Sequence, residues 1–217
     1  EIAASAIIKL VRDHGYRWRD FAVAVRDWDA WQDSAENVFA AYNVPLQMTV
    51  KTDIIEKSVI AAVFGALDVI LGDWDYKSVF KYLKTGMTGI APHDIDLLEN
   101  YVIKWNIHGS SFWRREEPWS GNPDGYTKNV TEEQEKTLCR VNEIRRDVIK
   151  ELGKFEDDLK LCKTGGEKAA CLYGFLEAIE LPARIEDRAK ALREHGNMQL
   201  CDEYLQLWDI LVNGLEQ

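Results

Sequence analysis

With 217 residues, 46% of them hydrophobic and 29% charged, the chain has the composition of an ordinary folded protein and not of a disordered one. Its formal charge of −10 excludes a protein that coats nucleic acid through overall basicity, so any phosphate contact must come from local clusters of arginine and lysine. No apolar run reaches the roughly 18 residues that a bilayer span needs, so no membrane partner is expected.

In chain order, residues 2–13 place apolar side chains at helical spacing, and His14-Gly15 ends that helix. Phe21 to Val25 is short, unbroken and apolar, the pattern of a strand covered on both faces. Residues 28–42 return to helical period, and LQMTV, 46–50, reads as a second strand after Pro45. Strand, helix and strand make a βαβ unit with a parallel pair, so residues 1–50 are expected to form a small α/β portion. Its outer edge would be left unpaired.

From residue 51 the pattern is helical. Asp53-Ile-Ile-Glu56 resembles a capping box before a helix over 54–71, apolar enough to be largely buried. A short helix follows at 75–84, then one from Pro92 to about Trp105. Residues 106–130, rich in Gly and Pro, read as a long surface loop pinned by Phe112, Trp113 and Trp119. Thr131-x-x-Gln134 caps a long helix whose apolar positions 138, 141, 144, 148, 152, 155 and 159 form a seam for a partner helix. Three more helices are expected at about 167–180, 182–195 and 198–213. The fold class is therefore mainly α, with a short two-stranded βαβ piece carrying a helical array over 51–217.

No catalytic residue and no metal site emerge. There is no GxxxxGK[ST], no HExxH and no matched pair of carboxylates, and the four histidines (14, 93, 108 and 195) are scattered. Cys139, Cys162, Cys171 and Cys201 form no CxxC; they read as buried free thiols and suit a reducing cytoplasm. The chain begins at Glu1 without a charged-then-apolar leader, as a piece of a longer protein would. Basic clusters stand at Arg17 with Arg19, Arg114 with Arg115, Arg145 with Arg146, and along Arg184, Arg188 and Arg193. The plain reading of each is a solvated face paired with the abundant carboxylates.

Two stretches resemble known proteins. FAVAVRDWDAWQDSAENVFAAYNVPLQMTV, 21–50, is similar to the opening of the second RecA-like motor domain (2A) of superfamily 1 helicases, where the chain then enters an inserted helical subdomain, 2B. DWDYKSVFKYLKTGMTGIAPHDIDLLENYVIKWNIHG, 73–109, with FW and PW up to Trp119, resembles the AddB (RexB) family, which belongs to the bacterial AddAB helicase-nucleases. The resemblance implies a partial 2A segment over 1–50 and a 2B-like insertion over 51–217. It implies a part in double-strand break repair and recombination, with DNA and an AddA-type subunit as partners. ATP with magnesium and an iron–sulfur cluster would belong to the parent complex, and this stretch would hold no cofactor of its own.

Candidate contacts follow. At the carboxyl end of a parallel strand, Arg26 would face a nucleotide cleft, as the resemblance implies; the alternative is a strand-end ion pair beside Asp27. Trp18 between Arg17 and Arg19 could stack a base or simply cover the strand. Trp113 with Arg114 and Arg115, on the long loop, is the better candidate for DNA, with Glu116 and Glu117 its only nearby counterweights in the sequence. A protein-interaction scaffold docking through the Leu138 to Leu159 seam is the competing reading.

Overall fold

The computed structural model describes residues 1–47, 54, 57–126 and 130–216. Among them the backbone is helical or irregular and no strand forms. The chain divides into two compact units, Glu1–Thr52 and Asp53–Gln217.

In the first unit, α1 (Ile2–His14) ends where Gly15 takes the left-handed conformation, φ 70°. A 3₁₀ turn covers Trp18–Asp20, and α2 spans Trp28–Ala41. Asp27 caps α2 by accepting the Ala30 amide N–H at 3.3 Å. Ile7, Phe39 and Val44 form a small core, with Ile8, Val11, Phe21 and Ala35 partly buried around it.

The expected strand at Phe21–Val25 is absent, which corrects the α/β part of the sequence reading. Val23 is 50% exposed and Val25 40%, and among the described residues the amides of Ala22 to Val25 find no backbone hydrogen-bond acceptor. An apolar run becomes a strand only where a ladder satisfies its amides and layers cover its faces. Neither is present here. Leu46 and Gln47, which open the second expected strand, are also irregular, and residues 48–50 lie outside the described residues. With no strand there is no βαβ unit, no RecA-like sheet and no parallel edge among the described residues: this region too is helical.

In the second unit, α3 (Ser58–Leu71) buries Val59, Ile60, Ala62, Val63, Ala66 and Val69. It starts later than residue 54, and residues 53, 55 and 56 of the expected capping box lie outside the described residues. Gly65 lets α4 (Tyr76–Leu83) pack close, since a Cβ there would sit 3.1 Å from Tyr82 Cα. Between these helices Asp73 and Trp74 are left-handed, with φ of 50° and 57°, which turns the Trp74 indole fully inward.

Pro92 opens α5 (Pro92–Lys104). The expected loop over 106–130 contains one helical turn, α6 (Ser110–Trp113), whose Ser110 donates its amide N–H and Oγ–H to Asp73 Oδ1 at 3.2 and 2.5 Å. Thr131 and Gln134 form the expected capping box at the start of α7 (Glu132–Leu161), 30 residues long. Then come α8 (Gly165–Ala178), α9 (Leu181–Glu194) and α10 (Met198–Leu215).

The seam of α7 is occupied by its own chain. Val141, Ile144, Val148, Leu152 and Phe155 lie in one core that also holds Leu98 of α5 and Phe175 of α8, with Leu138 and Leu159 at its margins. Phe155 and Phe175 stack with centroids 4.4 Å apart. α7 thus packs on α5 and α8, while α8, α9 and α10 pack on one another and α4 joins α3 to α5. The partner helix predicted by the heptad-like spacing is intramolecular, so the Leu138 to Leu159 seam is not a free docking face.

Candidate functional site

One face of α7 and the segment Arg114–Ser120 enclose a groove of about 800 Å³. Its geometry starts with Arg145. This residue lies four positions after Val141 and three before Val148, so helical spacing drives it into the core, where it is 3% exposed. Among the described residues its guanidinium forms no salt bridge, though the Glu117 charge is near enough to act on it, and it donates to three backbone carbonyls. Nε reaches Trp113 O at 2.8 Å, Nη1 reaches Glu117 O at 3.0 Å, and Nη2 bonds to Arg115 O. The charge also lies 4.9 Å over the Trp119 ring.

Burial pushes the Arg145 pKa down, and the nearby positive charge of Arg115 adds to that. An arginine remains protonated even so, and the site keeps a buried positive charge. Asn142 completes the clamp: its Oδ1 accepts the Trp119 amide N–H at 2.8 Å, and its Nδ2 donates to Trp119 O at 2.9 Å. Five of the polar groups that a loop would otherwise turn to water are satisfied by two side chains of one helix. The segment is held as a rigid lip.

The lining combines apolar side chains, Pro118, Leu138 and Ile149, with cationic ones, Arg114, Arg115, Arg146 and Lys150 beside Arg145. Glu116 and Glu135 are the carboxylates of the lining. Arg114 is committed elsewhere, to Glu156 at 2.9 Å and to Asp157 at 2.6 and 3.0 Å. Its pKa is raised, first by the hydrogen bond to Asp157. Lys150 pairs with Glu151 at 3.1 Å. Arg115 and Arg146 are exposed, and among the described residues neither makes an ion pair.

Glu156 anchors Arg114. It is 4% exposed and accepts the Trp74 indole N–H at 2.9 Å, the Arg114 guanidinium, and Lys160 Nζ at 2.5 Å. Burial by itself would raise its pKa, but the bonds to Lys160 and Trp74 and the charge of Arg114 outweigh it, and the net shift is downward.

The sequence-derived candidates separate accordingly. Trp113 is fully buried against Trp74 and Trp119, at 6.0 and 5.3 Å between centroids, so it offers no face to a base. Arg114 is consumed by Glu156 and Asp157, neither of which is near it in sequence. Arg115 alone of the three projects freely into the groove. In the first unit, Arg17 pairs with Asp20 at 2.9 Å, Trp18 is 40% exposed and Arg19 is exposed. Arg26 is exposed as well, and Asp27 beside it serves as the α2 cap; with no strand to end, the geometric case for a nucleotide contact at Arg26 is gone.

Sequence reasoning passed over Arg145 and Arg146 as a solvated pair. The register of Arg145 between Val141 and Val148 was the available signal. Among the described residues no three His, Cys, Asp or Glu side chains gather to hold a metal, and the four cysteines are free thiols, of which Cys139 is exposed and Cys201 buried. No helix among the described residues is long and apolar enough to cross a membrane.

No family model matches the chain. Curated proteins do. The chain is 37% identical over 213 residues to the B subunit of the ATP-dependent helicase/deoxyribonuclease of Acetivibrio thermocellus, a match covering 98% of this chain and 18% of that protein. It is 34% identical over 221 residues to the corresponding protein of Clostridium tetani, and 33% over 216 residues to that of Clostridium kluyveri, each match spanning 19% of the relative. This chain therefore corresponds, over essentially its whole length, to a fragment of the AddB family of ATP-dependent helicase/deoxyribonuclease proteins, spanning under a fifth of its relatives' length.

Proposed function

We propose that this chain is a DNA-facing, non-catalytic element of an AddB-type helicase-nuclease protein, guiding DNA beside an AddA-type motor during double-strand break repair and recombination. The observation that carries the reading is the groove of α7. On a chain of net charge −10, two arginines that make no ion pair among the described residues line it, and a third is buried behind its lip. Phosphates are the natural counter-ions for such fixed guanidiniums. Relatives named for helicase and deoxyribonuclease activity are about five times as long, which leaves ample chain for motor and nuclease centres outside this segment.

Arg115 and Arg146 are the DNA contacts on this reading, with Arg19 and Trp18 a secondary pair in the first unit. A fluorescence titration of labelled single-stranded and forked DNA at two salt concentrations tests it. Binding that weakens steeply with salt is expected. Absence of binding at low salt by this chain, folded as judged by its helical circular dichroism, overturns it.

A further inference from the structure

The junction between α7 and α8 brings two thiols to one turn. Cys162 caps the end of α7, and its Sγ–H lies 3.3 Å from Asp158 O and 3.4 Å from Glu167 O. The Glu167 carbonyl is the one that accepts the Cys171 amide within α8, by the i to i+4 pattern of the helix. Side chains on a helix lean toward its N-terminus, so the Cys171 thiol points back to that same turn. There the Cys162 sulfur is near enough to help raise the Cys171 pKa. Both cysteines are free and partly exposed.

We propose that Cys162 and Cys171 form a modification site: a thiol pair that a hydroperoxide converts to a disulfide, tying the end of α7 to the second turn of α8. The Cys162 thiolate attacks the peroxide. The O–O bond breaks, an S–O bond forms, and an alcohol (or water) leaves with the first proton. The Cys171 sulfur then attacks the Cys162 sulfenic acid. The S–S bond forms, the S–O bond breaks, and hydroxide leaves as water with the Cys171 proton. The two sulfurs are oxidised by two electrons in total, and the peroxide is reduced to alcohol and water.

The order of attack follows from the surroundings. Burial, then the neighbouring Cys162 sulfur and Asp158, push the Cys171 thiol up to about 11, so it waits protonated as the resolving partner. Cys162, the C-cap of α7, is then the attacking sulfur.

Hydrogen peroxide added to the full chain tests this directly. Lys163 and Lys168 lie between the two cysteines, so trypsin places them on different peptides. The expected product is a chain lighter by two hydrogens whose unreduced digest joins the Cys162 and Cys171 peptides, a link lost with dithiothreitol. Cys171→Ser should stop Cys162 at the sulfenic acid, trapped by a dione probe, whereas Cys139→Ser should leave the link intact. Recovery of both thiols for alkylation after oxidation, or Cys162 joined to Cys139 of another molecule, overturns the proposal.

Discussion

Residues 1–52 and 53–217 carry apolar residues at similar helical spacing, yet they bury them very differently. In the first region a cluster of Ile7, Phe39 and Val44 is the core, and Ile2, Val23 and Trp31 stand 89%, 50% and 59% exposed. In the second, three tryptophans (74, 113 and 119) lie at 1% exposure or less inside one continuous core. The comparison teaches that an apolar stretch has no fixed secondary structure until something covers it. Phe21 to Val25 and Val59 to Val63 are both short apolar runs; the second is covered by α4 and its neighbours, whereas among the described residues the first packs only in part, through Phe21, on the small core.

The contrast should be largest in hydrogen exchange. The amides of Ala22 to Val25 make no backbone hydrogen bond among the described residues and should exchange near the unprotected rate, while those of α7 around Val148 should be slower by about a thousandfold or more. Strong protection at 22–25, measured by NMR, would restore the strand that the structure lacks.

Within the second region, Arg145→Ala should cost about 4.5 kcal/mol in a denaturant titration, since three charge-assisted bonds to carbonyls vanish at about 1.5 kcal/mol each. Arg145→Lys should rescue little, because one ammonium cannot reproduce the fork. A variant as stable as the wild type would mean that the lip is not held by this residue.

Glu156→Gln should cost about 2 kcal/mol and blunt the acid sensitivity of the fold. The sign follows from its lowered pKa: the stabilisation is present above the ordinary value of 4.5 and is lost as pH falls through the lower folded value. Melting temperatures of the two proteins should therefore converge below pH 4.5. Parallel curves across that range would remove Glu156 as the acid-sensitive group.

These contrasts also mark what was legible. Helix periods, the Thr131–Gln134 box, Pro92 and the Asp75 start of α4 could all be read, because each is a local device that tertiary packing left unchanged. The strand at 21–25 was misread because a run of five apolar residues does not state its period. At the site, Arg115 was legible as an exposed loop cation. The fate of Arg114 was not, since its partners Glu156 and Asp157 lie 42 and 43 residues along the chain. The inward turn of Arg145 was written in its register but masked by the expectation that arginines stay in water.

The smallest expected effect bears most directly on the groove. Replacing both Arg115 and Arg146 with alanine should leave stability nearly unchanged and flatten the salt dependence of single-strand binding. The log–log slope should fall by roughly 1.4, two contacts at about 0.7 each. An unchanged slope and affinity in the double variant would contradict the assignment of the α7 groove to DNA.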